Sequence, residues 1–416
     1  KFKATRSINC ANFKCKNDKK GLKMIGINEA IDLAMTKITS SRRSEKVPLP
    51  SALGRILFSD ISAIKNLPCF DNSALDGYAY AAEFKDEELE IVEPTIFAGD
   101  EKFYEIKAAQ AQKIMTGAPM PAGADSVARL EDVDAQGGTL KIPASVHAHD
   151  GFRKKGEEVR AGELLLHRGE ILNPAKIMLL AAQGIYEVDV YARPKIALFS
   201  SGNELKEPWQ SASEREIYNA NSSGIAALLQ KYGFENEYLG ILKDDFSAVC
   251  KALDAATRKF DVLITSGGAS AGEADFMQSA MSELGFLQVF DHIDIKPGRP
   301  SKCFAKGGKF VFAMAGNPMA AFVLTRAVIL PILFKLSGAG GAFSAEAAIY
   351  AKLASDLKLK SGRVNLTVGA YEGGVFTPMP SPSGRIRPLA AASHFFLADP
   401  ECDKVRAGEI VKIYEI

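Results

Sequence analysis

Between residues 193 and 337 the sequence switches repeatedly between short, apolar runs and longer segments of helical period. No other feature constrains the fold as strongly. Residues 195–199 predict a buried strand, 222–232 a helix closed by Gly233, 237–242 a strand, 246–259 a helix and 261–265 a strand. A Gly-rich turn and a helix to Leu284 follow, then a strand over 309–315 and a long apolar helix opened by Asn317-Pro318. Such alternation predicts a parallel, doubly wound sheet that binds ligands outside the carboxyl ends of its strands.

At 416 residues the chain is too long for one core, and the flanking segments read differently. Ile27, Ile31, Ala34, Met35 and Ile38 predict a helix over 28–39. Residues 60–150 alternate short β-rich runs with turn clusters and predict a small β domain; a helix over 173–183 ends at Gly184. Gly338 to Gly341 form a linker, and short alternating strands to Ile416 predict a second small β domain.

Charge and cysteine usage exclude several classes. Residues 1–23 carry eight Lys/Arg against one Asp, while the rest carries 43 basic and 49 acidic residues. A body with that balance is not built to coat nucleic acid. Residues 1–23 have no apolar h-region and read as a disordered basic extension before Met24. The most apolar run, 320–334, is interrupted by Arg326 and Pro331, so no membrane span is expected. Six widely spaced cysteines match neither a disulfide framework nor a CxxC site, and reduced thiols in a cytoplasmic protein are expected. The five histidines show no metal or triad spacing.

Several strings could hold chemistry. Ser266-Gly267-Gly268-Ala269-Ser270-Ala271-Gly272-Glu273-Ala274-Asp275 joins a strand to a helix, where free N–H groups favour an anion; a tight turn capped by Asp275 is the plainer reading. Glu204, Asp244, Asp245 and Asp275 all leave strand ends, and converging carboxylates want a hard cation such as Mg²⁺. One of Asp244 and Asp245 is expected to cap the next helix and the other to face the crevice. Lys296-Pro297-Gly298-Arg299-Pro300 is a rigid loop with two cations suited to a tetrahedral oxyanion, or simply a solvated basic turn. Residues 70–79 hold Asp71 and Asp76 in a shaped loop, and 116–119 read as a turn.

Together, Asp71 to Ala79, Met115 to Pro119, Phe199 to Leu205, Gly267 to Asp275, Lys296 to Pro300 and Gly316-Asn317-Pro318 resemble the molybdopterin molybdenumtransferase family, related to the gephyrin E domain, over about residues 24–416. The resemblance implies an α/β plus β, multidomain fold. An extended N-terminal domain (24–60 and 151–192) would contain an inserted β domain (61–150), followed by the α/β pterin-binding domain (193–337) and a C-terminal β domain (338–416). It implies molybdenum insertion into adenylylated molybdopterin, with phosphoanhydride cleavage and AMP release, using molybdate and Mg²⁺ in an elongated homodimer. Transient contact with the pathway's molybdopterin adenylyltransferase and with molybdoenzymes is implied as well.

Matched by motif, Asp76, Thr116, Glu204, Asp244 and Asp275 fall on the family's catalytic positions, with Glu204, Asp244 and Asp275 as cation ligands. Ser266, Gly267, Gly268, Ser270, Gly272, Glu273, Gly316, Asn317 and Pro318 would contact substrate, and Lys296, Arg299, Arg363 and Ser383 would hold molybdate. The chain departs from the family pattern at Asn203, Glu158, His292 and Ala320, and Arg299 replaces a lysine. Alternatives are a non-catalytic gephyrin-like scaffold, the pathway's adenylyltransferase and a tungstate-preferring or molybdate-storing paralogue. The retained carboxylates count against an exclusive scaffold, and the adenylyltransferase activity does not need the flanking domains.

Overall fold

The computed structural model describes residues 25–38, 43–267, 273–339, 348–380 and 384–416, with 273–276 as backbone only. The expectations for residues 1–23 therefore lie outside the described residues.

The α/β unit is built on a six-stranded sheet in the order Asn236–Leu242, Ile196–Ser201, Val262–Ser266, Lys309–Met314, Lys302–Lys306, Leu287–Phe290. Successive side chains point to opposite faces. Ile196, Leu198, Val262, Ile264, Phe310 and Phe312 enter one apolar cluster. Ala197, Phe199, Leu263, Val311 and Ala313 enter the other. Helix Asn221–Lys231 and the apolar run from Pro318 to Leu336 cover the first face; Phe246–Lys259 and Glu273–Glu283 cover the second. Burial on both faces explains why the strands read as continuous apolar runs. The run from Pro318 to Leu336 is long and apolar enough to cross a membrane by length alone, yet 72% of it is buried inside the protein. It contains a π turn at Thr325–Ile329.

Two expectations need correction. The sheet is not wholly parallel: its first four strands are, but Lys302–Lys306 pairs antiparallel with both Lys309–Met314 and Leu287–Phe290. A two-glycine turn, Gly307-Gly308 with φ of 55° and 81°, folds the chain back as a hairpin between two strands, the first of which was not expected. The first helix covers only Ile27–Met35. The Thr36 hydroxyl bonds the Leu33 carbonyl, and the amides of Lys37 and Ile38 bond three residues back. These local bonds replace the i→i−4 ladder.

The flanking units use strands throughout. Ser126–Arg129, Gly77–Tyr80, Gln110–Ile114, Glu88–Ile96, Thr139–Lys141 and Asp134–Gln136 form a six-stranded sheet around buried Tyr78, Tyr80, Leu89 and Leu140. It sits between segments that pair with each other, Ser44–Pro48 with Glu187–Tyr191 and Ile61–Ser62 with Leu164–Leu166. In the C-terminal unit Val364–Glu372 pairs with both Val375–Pro378 and His394–Ala398, closing a small barrel. One short strand of that sheet, Ile295–Lys296, comes from the α/β unit. The four described cysteines outside the extension are free.

Candidate functional site

At the carboxyl ends of the parallel strands lies a crevice of about 550 Å³. Its position is the one the topology dictates, and its size suits a small-molecule ligand. Ser200, Ser201, Glu204 and Tyr218 form one wall; Asn221, Ser266, Gly267, Gly316, Asn317 and Pro318 form the floor and the other wall; Gly384 and Ile386 arrive from the C-terminal unit. Two glycines make the shape. Gly267 has φ of +92°, and a Cβ there would stand 2.2 Å from the Ser201 carbonyl oxygen. Gly202 has φ of +150°, and a Cβ there would stand 2.7 Å from both Glu204 carboxylate oxygens. Only glycine lets Glu204 fold back over this turn.

The structure thus brings Glu204, Ser266, Gly267, Gly316, Asn317 and Pro318 together. Asn317 also caps the helix Pro318–Leu324 through its side-chain oxygen, 3.1 Å from the Ala320 amide. Asp245 caps Phe246–Lys259, its carboxylate 2.8 Å from the Ala248 amide. Asp244 does not line the crevice, contrary to expectation; it is exposed on the loop after Asn236–Leu242. Its amide bonds the Asn203 side-chain oxygen at 3.3 Å, which ties the two strand-end loops together through one of the departing residues. Asp275 falls inside the first turn of Glu273–Glu283, after the cap position. The side chains of Glu273 and Asp275, and all of Gly268, Ser270, Gly272 and Ser383, lie outside the described residues.

The basic loop forms a second corner. Ile295–Lys296 pairs in parallel with Val364 and Asn365, so Lys296 stands opposite Asn365, two residues from Arg363. Asn365, 8% exposed, was not among the expected site residues. Its side-chain amide donates to the carbonyls of Lys360 and Arg363, both at 2.9 Å, and its oxygen accepts from the Lys360 amide. One asparagine therefore shapes the turn that presents Arg363. Gly298 has φ of +120° and packs onto Ala320 and Leu324. The Arg299 carbonyl accepts from the amides of Ile293 and Ser301. Ala320 is fully buried beneath this loop, and His292 pairs with Asp291 at 3.3 Å. Glu158 stands 3.6 Å from Arg153.

A third arrangement sits on the inserted sheet. Residues 72–73 and 117–119 are stitched by backbone bonds: Gly117 to Ser73, Ser73 to Ala118, and a bridge between Asn72 and Pro119. This brings two strings some 40 residues apart face to face. The Asp76 carboxylate accepts from both the Thr116 amide and the Thr116 hydroxyl, each at 2.7 Å. Those bonds, the amide first, hold its pKa below the ordinary 3.8 against a small opposing effect of burial.

Sequence reasoning missed two crevice asparagines. Asn221 donates to Ser266 Oγ at 2.7 Å and to the Gly316 carbonyl at 2.9 Å, locking two strand ends together. Asn219, 2% exposed, is bonded on both sides. Asn219 lies two residues before the helix Asn221–Lys231 and Asn221 opens it, so their surroundings in sequence read as a helix start, while their partners lie on or just after other strands.

A doubly wound α/β unit with a strand-end crevice, flanked by β units that bring further polar groups, defines a multidomain ligand-binding enzyme architecture. The description "MoeA N-terminal region (domain I and II)" matches residues 25–184, and "Probable molybdopterin binding domain" matches residues 197–335. A molybdopterin molybdenumtransferase of Haemophilus influenzae is 34% identical over 317 residues, covering 76% of this chain and 78% of the relative. Molybdopterin molybdenumtransferase 2 of Mycobacterium tuberculosis is 30% identical over 383 residues, covering 89% and 94%. The crystal structure of the molybdopterin biosynthesis moeA protein from Pyrococcus horikoshii OT3 superposes with a TM-score of 0.81 at 29% identity, covering 95% of this chain and 100% of that one. The chain belongs to the molybdopterin molybdenumtransferase family, and it is an enzyme of molybdenum cofactor biosynthesis.

Proposed function

We propose that this enzyme binds adenylylated molybdopterin in the strand-end crevice, cleaves its phosphoanhydride with release of AMP, and transfers molybdenum from molybdate to the pterin dithiolene. Two observations support this reading: Glu204 lines the strand-end crevice of the α/β unit, and the pairing of Ile295–Lys296 with Val364 and Asn365 brings Lys296 of that unit beside the segment that carries Arg363. Lys296, Arg299 and Arg363 would hold the doubly charged tetrahedral oxyanion, Arg by bidentate bonds. Glu204 faces the pterin nucleotide from the turn that Gly202 allows. Binding both substrates in one place raises the effective concentration of each at the other.

The donor set fits Mg²⁺. Of the expected ligands Glu204 lines the crevice, and Asp244, outside the lining but on the loop that Asn203 ties to the Glu204 turn, would add a second hard oxygen. That suits an ion that keeps several waters and is shared with substrate phosphates. When bound, Mg²⁺ supplies charge neutralisation at the phosphoanhydride. Asp275 would be its third carboxylate.

Asp76 and Thr116 are exposed on a different unit from the crevice. We infer that they complete the crevice of a partner subunit in a homodimer. The exposed apolar side chains Leu53, Ile64, Met178 and Tyr186 on the N-terminal unit supply area for such an interface. The direct test is AMP release from adenylylated molybdopterin with and without molybdate. AMP release stimulated by molybdate is expected; a protein that binds both ligands without releasing AMP would sink the catalytic reading.

A further inference from the structure

The hydrogen bonds behind the crevice wall have one consistent direction. Tyr238 donates its hydroxyl to Glu207 Oε1 at 2.7 Å, because a carboxylate can only accept. The Tyr238 oxygen then accepts from Asn219 Nδ2 at 2.8 Å, and the same amide nitrogen reaches Glu207 Oε2 at 3.5 Å. This fixes the Asn219 amide with its nitrogen towards Tyr238 and its oxygen towards the crevice wall. The oxygen receives Ser200 Oγ at 2.9 Å and the Ser222 backbone amide at 3.4 Å. Ser200, Asn219 and Glu207 are 1%, 2% and 9% exposed, so these bonds are shielded from bulk water, while Ser200 still borders the crevice. Burial and the adjacent Glu207 carboxylate hold the Tyr238 phenol well above its ordinary value, with Ser200 and Ser222 opposing, so it remains a donor throughout the working range.

We propose that Glu207, Tyr238 and Asn219 are positioning residues that commit the Ser200 hydroxyl proton inward, so that Ser200 offers the crevice a hydrogen-bond acceptor and selects an N–H donor edge of the ligand. Resting on the function proposed above, that edge is the amino-pyrimidinone side of the pterin, which carries N–H donors; the phosphates, which only accept, are left to the Gly267 and Gly316 side. A ligand that turned an acceptor towards Ser200 would meet lone pair against lone pair, with no proton free to rotate into the gap.

Glu207→Gln tests this at a distance. A carboxylate accepts from both Tyr238 and Asn219, whereas an amide can accept on only one of its two atoms, so one donor must turn. Turning the Asn219 amide presents its nitrogen to Ser200, and Ser200 then donates into the crevice against the ligand N–H. Wild type, Ser200→Ala, Glu207→Gln and the double variant are titrated calorimetrically with adenylylated molybdopterin. Ser200→Ala removes one acceptor and should weaken binding about 3–10-fold. Glu207→Gln opposes donor with donor and should weaken it further, on the order of 10–100-fold. In the double variant the clash is gone, so affinity should return to the Ser200→Ala level. A structural defect at Glu207 would instead add to the loss at Ser200.

A neutron diffraction map of ligand-free wild type gives the ligand-independent readout, and it decides the proton's position even where Glu207→Gln fails to fold. It should show the Ser200 proton directed to Asn219. A proton pointing into the crevice, wild-type affinity in Glu207→Gln, or additive losses in the double variant would each overturn the inference. Wild type that does not bind adenylylated molybdopterin, with the proton directed as stated, would instead overturn the substrate reading and leave the polarity of the wall standing.

Discussion

The crevice and the Asp76–Thr116 platform solve the positioning of polar groups in opposite ways. In the crevice wall Ser200, Asn219 and Ser266 are buried, and their side chains are held by hydrogen bonds to residues of neighbouring elements. On the platform Asp76 and Thr116 face solvent, and the scaffold beneath them is backbone pairing between two loops. A buried wired wall is preorganised and needs nothing more to recognise a ligand. An exposed carboxylate with two fixed donors has its geometry but not its dielectric, and gains strength only when another surface covers it.

The largest effects should come from removing either carboxylate. Glu204→Gln and Asp76→Ala should each fold normally and lower AMP release by roughly 10²–10³-fold. Glu204→Gln should also raise the Mg²⁺ needed for the residual rate. The comparison then gives a complementation test. Randomly mixed Asp76→Ala and Glu204→Gln subunits should regain roughly a quarter of wild-type activity, since half the dimers are mixed and each has one intact cleft. Absence of recovery in confirmed mixed dimers would put both groups in one subunit's site.

Next in size is the basic corner. Changing Lys296 and Arg299 together to Ala should raise the molybdate concentration for half-maximal insertion on the order of 10–100-fold while the Mg²⁺ titration stays in place. A shift of the Mg²⁺ curve alone would reverse the assigned roles. Below that, Asn221→Ala removes two bonds joining Ser266 and Gly316, at about 1 kcal/mol each. Binding of the pterin nucleotide should weaken roughly 10-fold, with molybdate dependence unchanged. A normal pterin affinity in that variant would show that the floor of the crevice keeps its shape without the lock.

What could be read from sequence followed the range of the interactions. The apolar strand runs, the Asp245 cap and the strand-end glycines are set by neighbours within a few residues, so the α/β unit and its crevice were legible. The Leu287–Phe290 and Lys302–Lys306 strands were not, because they are short, they pair with each other across the long loop 291–301, and only Lys302–Lys306 is marked by the turn at Gly307-Gly308. The Glu207–Tyr238–Asn219 chain spans up to 31 residues and no local pattern marks it. Asn365 was hidden likewise, since its value lies in pairing with Lys296 across two units. Asp76 and Thr116 were visible as motifs, but only the backbone stitching at Ser73 and Gly117 explains why they meet.

The smallest predicted effect separates the two bonds on Asp76. Thr116→Val keeps the backbone donor and the side chain's shape but removes the hydroxyl. Because the Asp76 pKa is lowered in the folded protein, its interaction with Thr116 is complete above the ordinary 3.8 and is lost only as pH falls through the lowered folded value. Between pH 5 and 9, roughly the range in which such an enzyme is assayed, Asp76 therefore stays ionised in both proteins. The hydroxyl should matter there for orientation rather than for charge. Activity near pH 7 should fall only about 2–5-fold, the worth of one exposed hydrogen bond, with no change in the shape of the neutral pH profile. The carboxyl carbon resonance of Asp76, followed by NMR to low pH, should titrate below 3.8 in wild type and move partway back towards it in Thr116→Val. The amide was the larger of the two influences, so the return should be incomplete. A lowered wild-type midpoint that Thr116→Val leaves in place would mean that the hydroxyl bond does not persist in solution. The platform would then be held by the Thr116 amide alone, and its contrast with the wired crevice would be sharper still.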